Sequence, residues 1–95
     1  MNSSSARTGM NLRRGILDKA FLKVYKEKRE TIAHPRVDFL RISRFWEVIL
    51  GCQVTAAQVG LCMIALKISR EMFCHTEDNL VDIAGYAETN GMLYE

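Results

Sequence analysis

Ninety-five residues leave room for one domain, and a chain of that length buries only roughly 60 to 65% of its unfolded surface, so association or a ligand weighs heavily in its stability. An apolar share of 48% beside 25% charged residues excludes a disordered chain, and a formal net charge of +2 is too slight to announce direct nucleic-acid or membrane binding. Lys67 and Arg70 interrupt the longest apolar stretch, which excludes a membrane span, and Cys52, Cys62 and Cys74 read as reduced thiols packed like small hydrophobes in a cytoplasmic protein.

Residues 1–11 are polar and Ser-rich with no apolar segment for a secretory signal, and are expected to form a disordered tail ahead of one helical domain over 12–95. In the first helix, 12–30, Ile16, Leu17, Ala20, Phe21 and Val24 recur at three and four and define one apolar face. The opposite face is basic, with Lys19, Lys23, Lys26 and Arg29, and is read either as a solvated face or as an anion-binding stripe.

Pro35 suits the first turn of a second helix and holds His34 extended. Phe39, Ile42, Phe45, Trp46 and Ile49 form its buried side, and Gly51 is its C-terminal cap. Thr55 and Gln58 have the form of a capping box for a third helix, 56–73. At roughly 100° per residue its apolar positions go almost all the way round, leaving a narrow polar stripe of Lys67, Arg70 and Glu71 with Gly60. One chain has too little surface to cover such a helix, so a homo-oligomer is expected, the alternative being a compact bundle with an over-rich core. Thr76 caps a fourth helix with Glu77 and Asp78 in its first turn, and Asn90-Gly91 ends it. No alternating run suggests a strand, so the expected fold is all-α, a compact bundle of about four helices.

Asp78 and Asp82 are four residues apart and point to one side of their helix, a spacing that suits a shared Mg2+ as well as an ordinary solvated face. A short link runs that helix antiparallel to the one carrying Lys67 and Arg70. These two cations therefore meet the acids as salt-bridge partners or, with them, hold an anionic ligand. Glu27 and Glu30 are a weaker acidic pair, also explained by salt bridges to the lysines around them. Tyr86 and Trp46 suit a stacked base and a packed core equally. No Gly-rich phosphate loop, H-E-x-x-H, G-x-S-x-G or C-x-x-C occurs, so a nucleophilic enzyme is not expected.

The run Arg29, His34-Pro35, Phe39, Ile42, Trp46, then Leu66-Lys67, Arg70, His75, Asp78-Asn79 and Asp82-Ile83-Ala84-Gly85-Tyr86-Ala87 resembles a family of small uncharacterised phage proteins. Their marks are a Lys-x-x-Arg helix and a closing Asp-x-x-x-Asp-x-x-Gly-Tyr helix. More distantly it is similar to MazG-like all-α nucleoside triphosphate pyrophosphohydrolases, which hold magnesium with helical carboxylates. The resemblance implies a nucleotide or phosphate site of Lys67, Arg70, Asn79 and Tyr86, with Asp78 and Asp82 as Mg2+ ligands or as anchors of the cations. Where that family has Tyr-Gly-Asp before the proline this chain has Ile32-Ala33-His34, and where it has Asn before Phe it has Asp38. An enzyme and a binding protein on such a scaffold both stay open. The expected function is thus nucleotide binding, with Mg2+-dependent pyrophosphohydrolysis as its catalytic version. The alternatives are a purely structural oligomer and a non-enzymatic phage anti-defence protein. The latter would inhibit a CRISPR-type host immune complex or sequester a signalling nucleotide, using the basic face of the first helix.

Overall fold

A computed structural model describes residues 15–27 and 31–95. The proposed tail, Arg29 and Glu30 lie outside them. The described residues form helices joined by short links at 31–34, 51–55 and 74–76, with no strand among them. Helix α1 is Ile16–Leu22 and continues as a π-helical turn, Lys23–Glu27; α2 is Pro35–Leu50, α3 is Ala56–Phe73, α4 is Glu77–Gly91, and a 3-10 turn, Met92–Tyr94, closes the chain.

The helix boundaries follow from local chemistry. His34 is the N-cap of α2, its Nδ1 accepting from the Arg36 N–H at 3.1 Å, and Pro35 follows at the position where its missing N–H costs nothing. Gly51 ends the helix at φ 71, a left-handed conformation that glycine adopts without strain. The link to α3 is tied by Glu47, whose carboxylate accepts from the Val54 N–H at 3.0 Å and from the Arg44 guanidinium. At the start of α3 the Gln58 N–H donates to Thr55 Oγ1 at 3.1 Å and the Thr55 N–H donates to Gln58 Oε1 at 2.9 Å, completing the capping box. Thr55→Ala is expected to lower the unfolding free energy by about 1 kcal/mol without changing helix content at low temperature, as read by urea melts.

Each helix packs on a neighbour: α1 on α4, α4 on α3, α3 on α2, with the terminal 3-10 turn returning to α2. The centre is Phe39, Val54 and Val59, surrounded by Ile42, Trp46, Met63, Tyr86 and Leu93. The Arg36 guanidinium donates to the Glu95 carbonyl at 2.8 Å and ties the end of the chain to α2. No helix of the described residues is long and apolar enough to cross a membrane.

Four expectations need correction. In α1, Ala20 and Val24 are buried while Leu17 and Phe21 are 77% and 60% exposed, so the helix is turned away from its most apolar side. The reason is electrostatic and steric: Lys19 and Lys23 reach acids on α4, and Val24 lies against Gly85, where a Cβ would meet its Cγ2 at 3.5 Å. In α2, Phe45 and Ile49 lie outside the core at 64% and 76% exposure. The three cysteines are exposed free thiols and do not fill the interior. Gly91 continues α4 in right-handed geometry into the 3-10 turn instead of capping the helix.

Candidate functional site: a lysine and carboxylate network beside a cleft

Asp82 stands at the junction of α1, α3 and α4. Its Oδ1 accepts from Lys23 Nζ at 2.6 Å and its Oδ2 lies 2.9 Å from Lys67 Nζ, so each carboxylate oxygen carries a lysine. The side chains are well covered, at 13% exposure for Asp82, 15% for Lys67 and 26% for Lys23. Lys23 also donates to Asp78 Oδ1 at 3.0 Å, and one turn earlier Lys19 donates to Glu77 at 2.5 Å. Three lysines thus face three acids, and the network has no net charge.

The titration of the pair follows from these contacts. Burial pushes the Asp82 pKa up, but the hydrogen bonds and charges of Lys23 and Lys67 outweigh it and hold the carboxyl below its ordinary value. Burial likewise opposes the charge on Lys23, and its hydrogen bonds to Asp82 and Asp78 overcome this and raise its pKa. Both groups are ionised at neutral pH.

A cleft of about 250 Å³ opens beside this network. Phe39, Met63 and Tyr86 contribute apolar wall, Lys23 and Asp82 stand at one edge, and Asp38 is a further polar group. The cleft gathers distant stretches of sequence: Ile32 and Pro35 come from the turn before α2, Gly85 and Tyr86 from the closing helix.

The other expected site residues are distributed more widely. Asn79 is buried, but its amide is engaged in the α3–α4 link, donating to Glu71 Oε1 at 3.2 Å and to the Cys74 carbonyl at 3.3 Å. Glu71 gathers that link, accepting also from the Thr76 N–H and from His75. The contact with His75 is the main cause of its lowered pKa. Arg70 is exposed and has no ion-pair partner among the described residues, and Glu27 is exposed at the mouth of a second, charged hollow with Lys19, Glu77 and Asp78. Asp78 and Asp82, read as metal ligands, are engaged with lysines instead. Among the described residues no three acidic, histidine or cysteine side chains group closely enough to hold an ion. Sequence reasoning did not connect Lys19 and Lys23 to Glu77, Asp78 and Asp82. The signal was there as matched four-residue spacings of opposite charge on two helices.

A family model described as a domain of unknown function, DUF6378, matches residues 15–94, the whole of the described fold except its last residue. The chain belongs to the DUF6378 family. No curated protein and no solved structure matches it. In this DUF6378 domain the match takes in both the ion network and every wall of the cleft.

Proposed function

We propose that this DUF6378 protein is a nucleotide-class binding module that works as a homo-oligomer, taking a planar base into the cleft and a phosphate at its Lys23 edge. The observation that carries the reading is the convergence of two stretches far apart in sequence, the turn into α2 and the Asp82-to-Tyr86 part of α4, on one cleft beside the Lys23–Asp82 pair. An aromatic and aliphatic wall with a few polar groups at its edge is the ordinary make-up of a small-ligand site. Phe39 and Tyr86 are both in the lining, and aromatic side chains there suit a planar ring. A phosphate oxygen takes the place of Asp78 on Lys23, because Asp78 is 69% exposed and such a surface pairing is weak, while Asp82 keeps Lys67. The likeness of the Lys-x-x-Arg and Asp-x-x-x-Asp-x-x-Gly-Tyr helices to phage proteins and to MazG-like pyrophosphohydrolases supports the ligand class and a phage-type setting.

Binding without hydrolysis is the version the geometry favours. For Mg2+ to reach Asp78 and Asp82 it must first displace Lys23 from both, and among the described residues no third acid groups with them closely enough to complete an ion site. The basic face of α1, on which inhibition of a host defence complex would rely, is largely turned to α4, with Lys19 and Lys23 in ion pairs.

A thermal-shift screen of nucleoside mono-, di- and triphosphates and cyclic dinucleotides, with and without Mg2+, tests the reading. A ligand at 100 times its Kd adds about 2.7 kcal/mol to the unfolding free energy. The expected result is a rise in Tm with at least one nucleotide that Lys23→Met abolishes and Asp78→Asn leaves in place. No shift with any nucleotide at millimolar concentration overturns it. Release of pyrophosphate from any triphosphate with Mg2+ replaces binding by hydrolysis.

A further inference from the structure

The side of α3 that faces away from α2 and α4 carries Leu61, Ala65, Ile68 and Met72, spaced four, three and four apart. This is the seam spacing of a helix that packs along another helix. The described residues leave the seam open: Leu61 is 56% exposed, Ile68 46% and Met72 83%, with Phe73 at its edge 93% exposed. One flank, Gln58, Cys62 and Ser69, carries no charge, and on the other the charge nearest the seam, Glu71, is tied into the α3–α4 link by Thr76 and Asn79.

We infer that α3 pairs antiparallel with the α3 of a second copy along Leu61, Ala65, Ile68 and Met72, about a two-fold axis between Ala65 and Ile68. It rests on the reading of the protein as a homo-oligomer and names the surface. The spacing is the same read in either direction, so reversing one helix keeps the seam in register. Antiparallel pairing sets the small Ala65 against Ile68 of the other copy and Leu61 against Met72, filling the seam evenly. Parallel pairing stacks Ala65 on Ala65 and leaves a hole at the centre. Leu61, Ile68, Met72 and Phe73 offer on the order of 100 Å² each, so the two copies bury roughly 800 Å² in all. That is the range of small, reversible interfaces, and the dimer is expected to form in the micromolar range. The ligand cleft meets α3 on its other side, at Met63, so the dimer and the ligand site stand or fall separately.

The test is mass in solution by light scattering together with the dependence of Tm on protein concentration. The expected wild-type mass is about twice the 10.8 kDa of the chain, with a Tm that rises with concentration. Ile68→Glu is expected to give the single-chain mass with helical circular dichroism retained and a Tm independent of concentration. Should that variant not fold, Ile68→Ser is read in its place. Phe21→Glu, on the open side of α1, keeps the dimer. A wild type that is monomeric at about 100 micromolar overturns the inference. An Ile68 variant that stays dimeric overturns it too, as does dissociation by Phe21→Glu. Loss of nucleotide binding with the mass unchanged overturns only the ligand reading.

Discussion

Asp82→Asn is expected to lower the unfolding free energy by about 2 to 3 kcal/mol, a fall of roughly 10 to 20 °C in Tm for a domain this small. The amide keeps the shape of the carboxylate but not its charge, and Lys67 and Lys23, 15% and 26% exposed, then lose the group that compensates their removal from water. The loss stays below that of a fully buried pair because both lysines keep partial access to solvent. A second variant separates charge from packing. Lys67→Met combined with Asp82→Leu removes one buried cation with its anion, and is expected to recover most of the lost stability, since apolar replacements of a buried pair are often neutral or better. Asp82→Asn within about 0.5 kcal/mol of the wild type would show that the network has no structural weight.

The same contacts set the pH dependence. The Asp82 pKa is lowered on folding, so its contribution is complete above the ordinary carboxyl value of about 4 and drains away as pH falls through the lower folded value. The Lys23 pKa is raised on folding, so its contribution is complete below about 10.4 and is lost as pH rises through the higher folded value. Tm is expected to be flat between these limits. The acid fall should be shallower in Asp82→Asn, and the two curves are expected to converge at the acid end.

The second large effect is at Gly60. A Cβ there would lie 2.2 Å from Asn90 Oδ1, 2.8 Å from Asn90 Cγ and 3.1 Å from Cε2 of Phe39, because α3 and α4 approach each other at this glycine. Gly60→Ala is expected to destabilise by about 2 kcal/mol: overpacking of a tight contact outweighs the gain of roughly 1 kcal/mol that alanine brings to a helix interior. Asn90 Oδ1 is buried and has no hydrogen-bond partner among the described residues, so moving it breaks no bond, but the Phe39 ring limits the room on the same side. Asn90→Ala in the Gly60→Ala background should therefore restore part of the loss, a coupling measurable by a double-mutant cycle of urea melts. Additive losses in the cycle would place the strain on Phe39 alone.

Much of the fold was legible because its signals are local. The proline and histidine that open α2, Gly51 that ends it, the Thr55 and Gln58 box and the Thr76 cap all act within four residues of the backbone groups they satisfy. The candidate site was legible only in part. Lys67 and Asp82 were found because each is unusual on its own helix, a cation among apolar residues and an acid four after another acid. Arg70 joined them by its place on the polar stripe and Asn79 through the family resemblance, yet the amide of Asn79 serves the α3–α4 link and Arg70 stands apart in solvent.

What the sequence determined by itself is four helices, the ends of the second and third and the start of the fourth, and a third helix with more apolar surface than this chain covers. Only the tertiary structure decided how each helix is turned about its axis. That rotation is a contest between partners far apart in the chain. For α1, three ion pairs from Lys19 and Lys23 to α4 and the close fit of Val24 at Gly85 won over the burial of Leu17 and Phe21. The same choice carried Lys23 from an outward basic face to the edge of the cleft, where periodicity along one helix had no means of placing it.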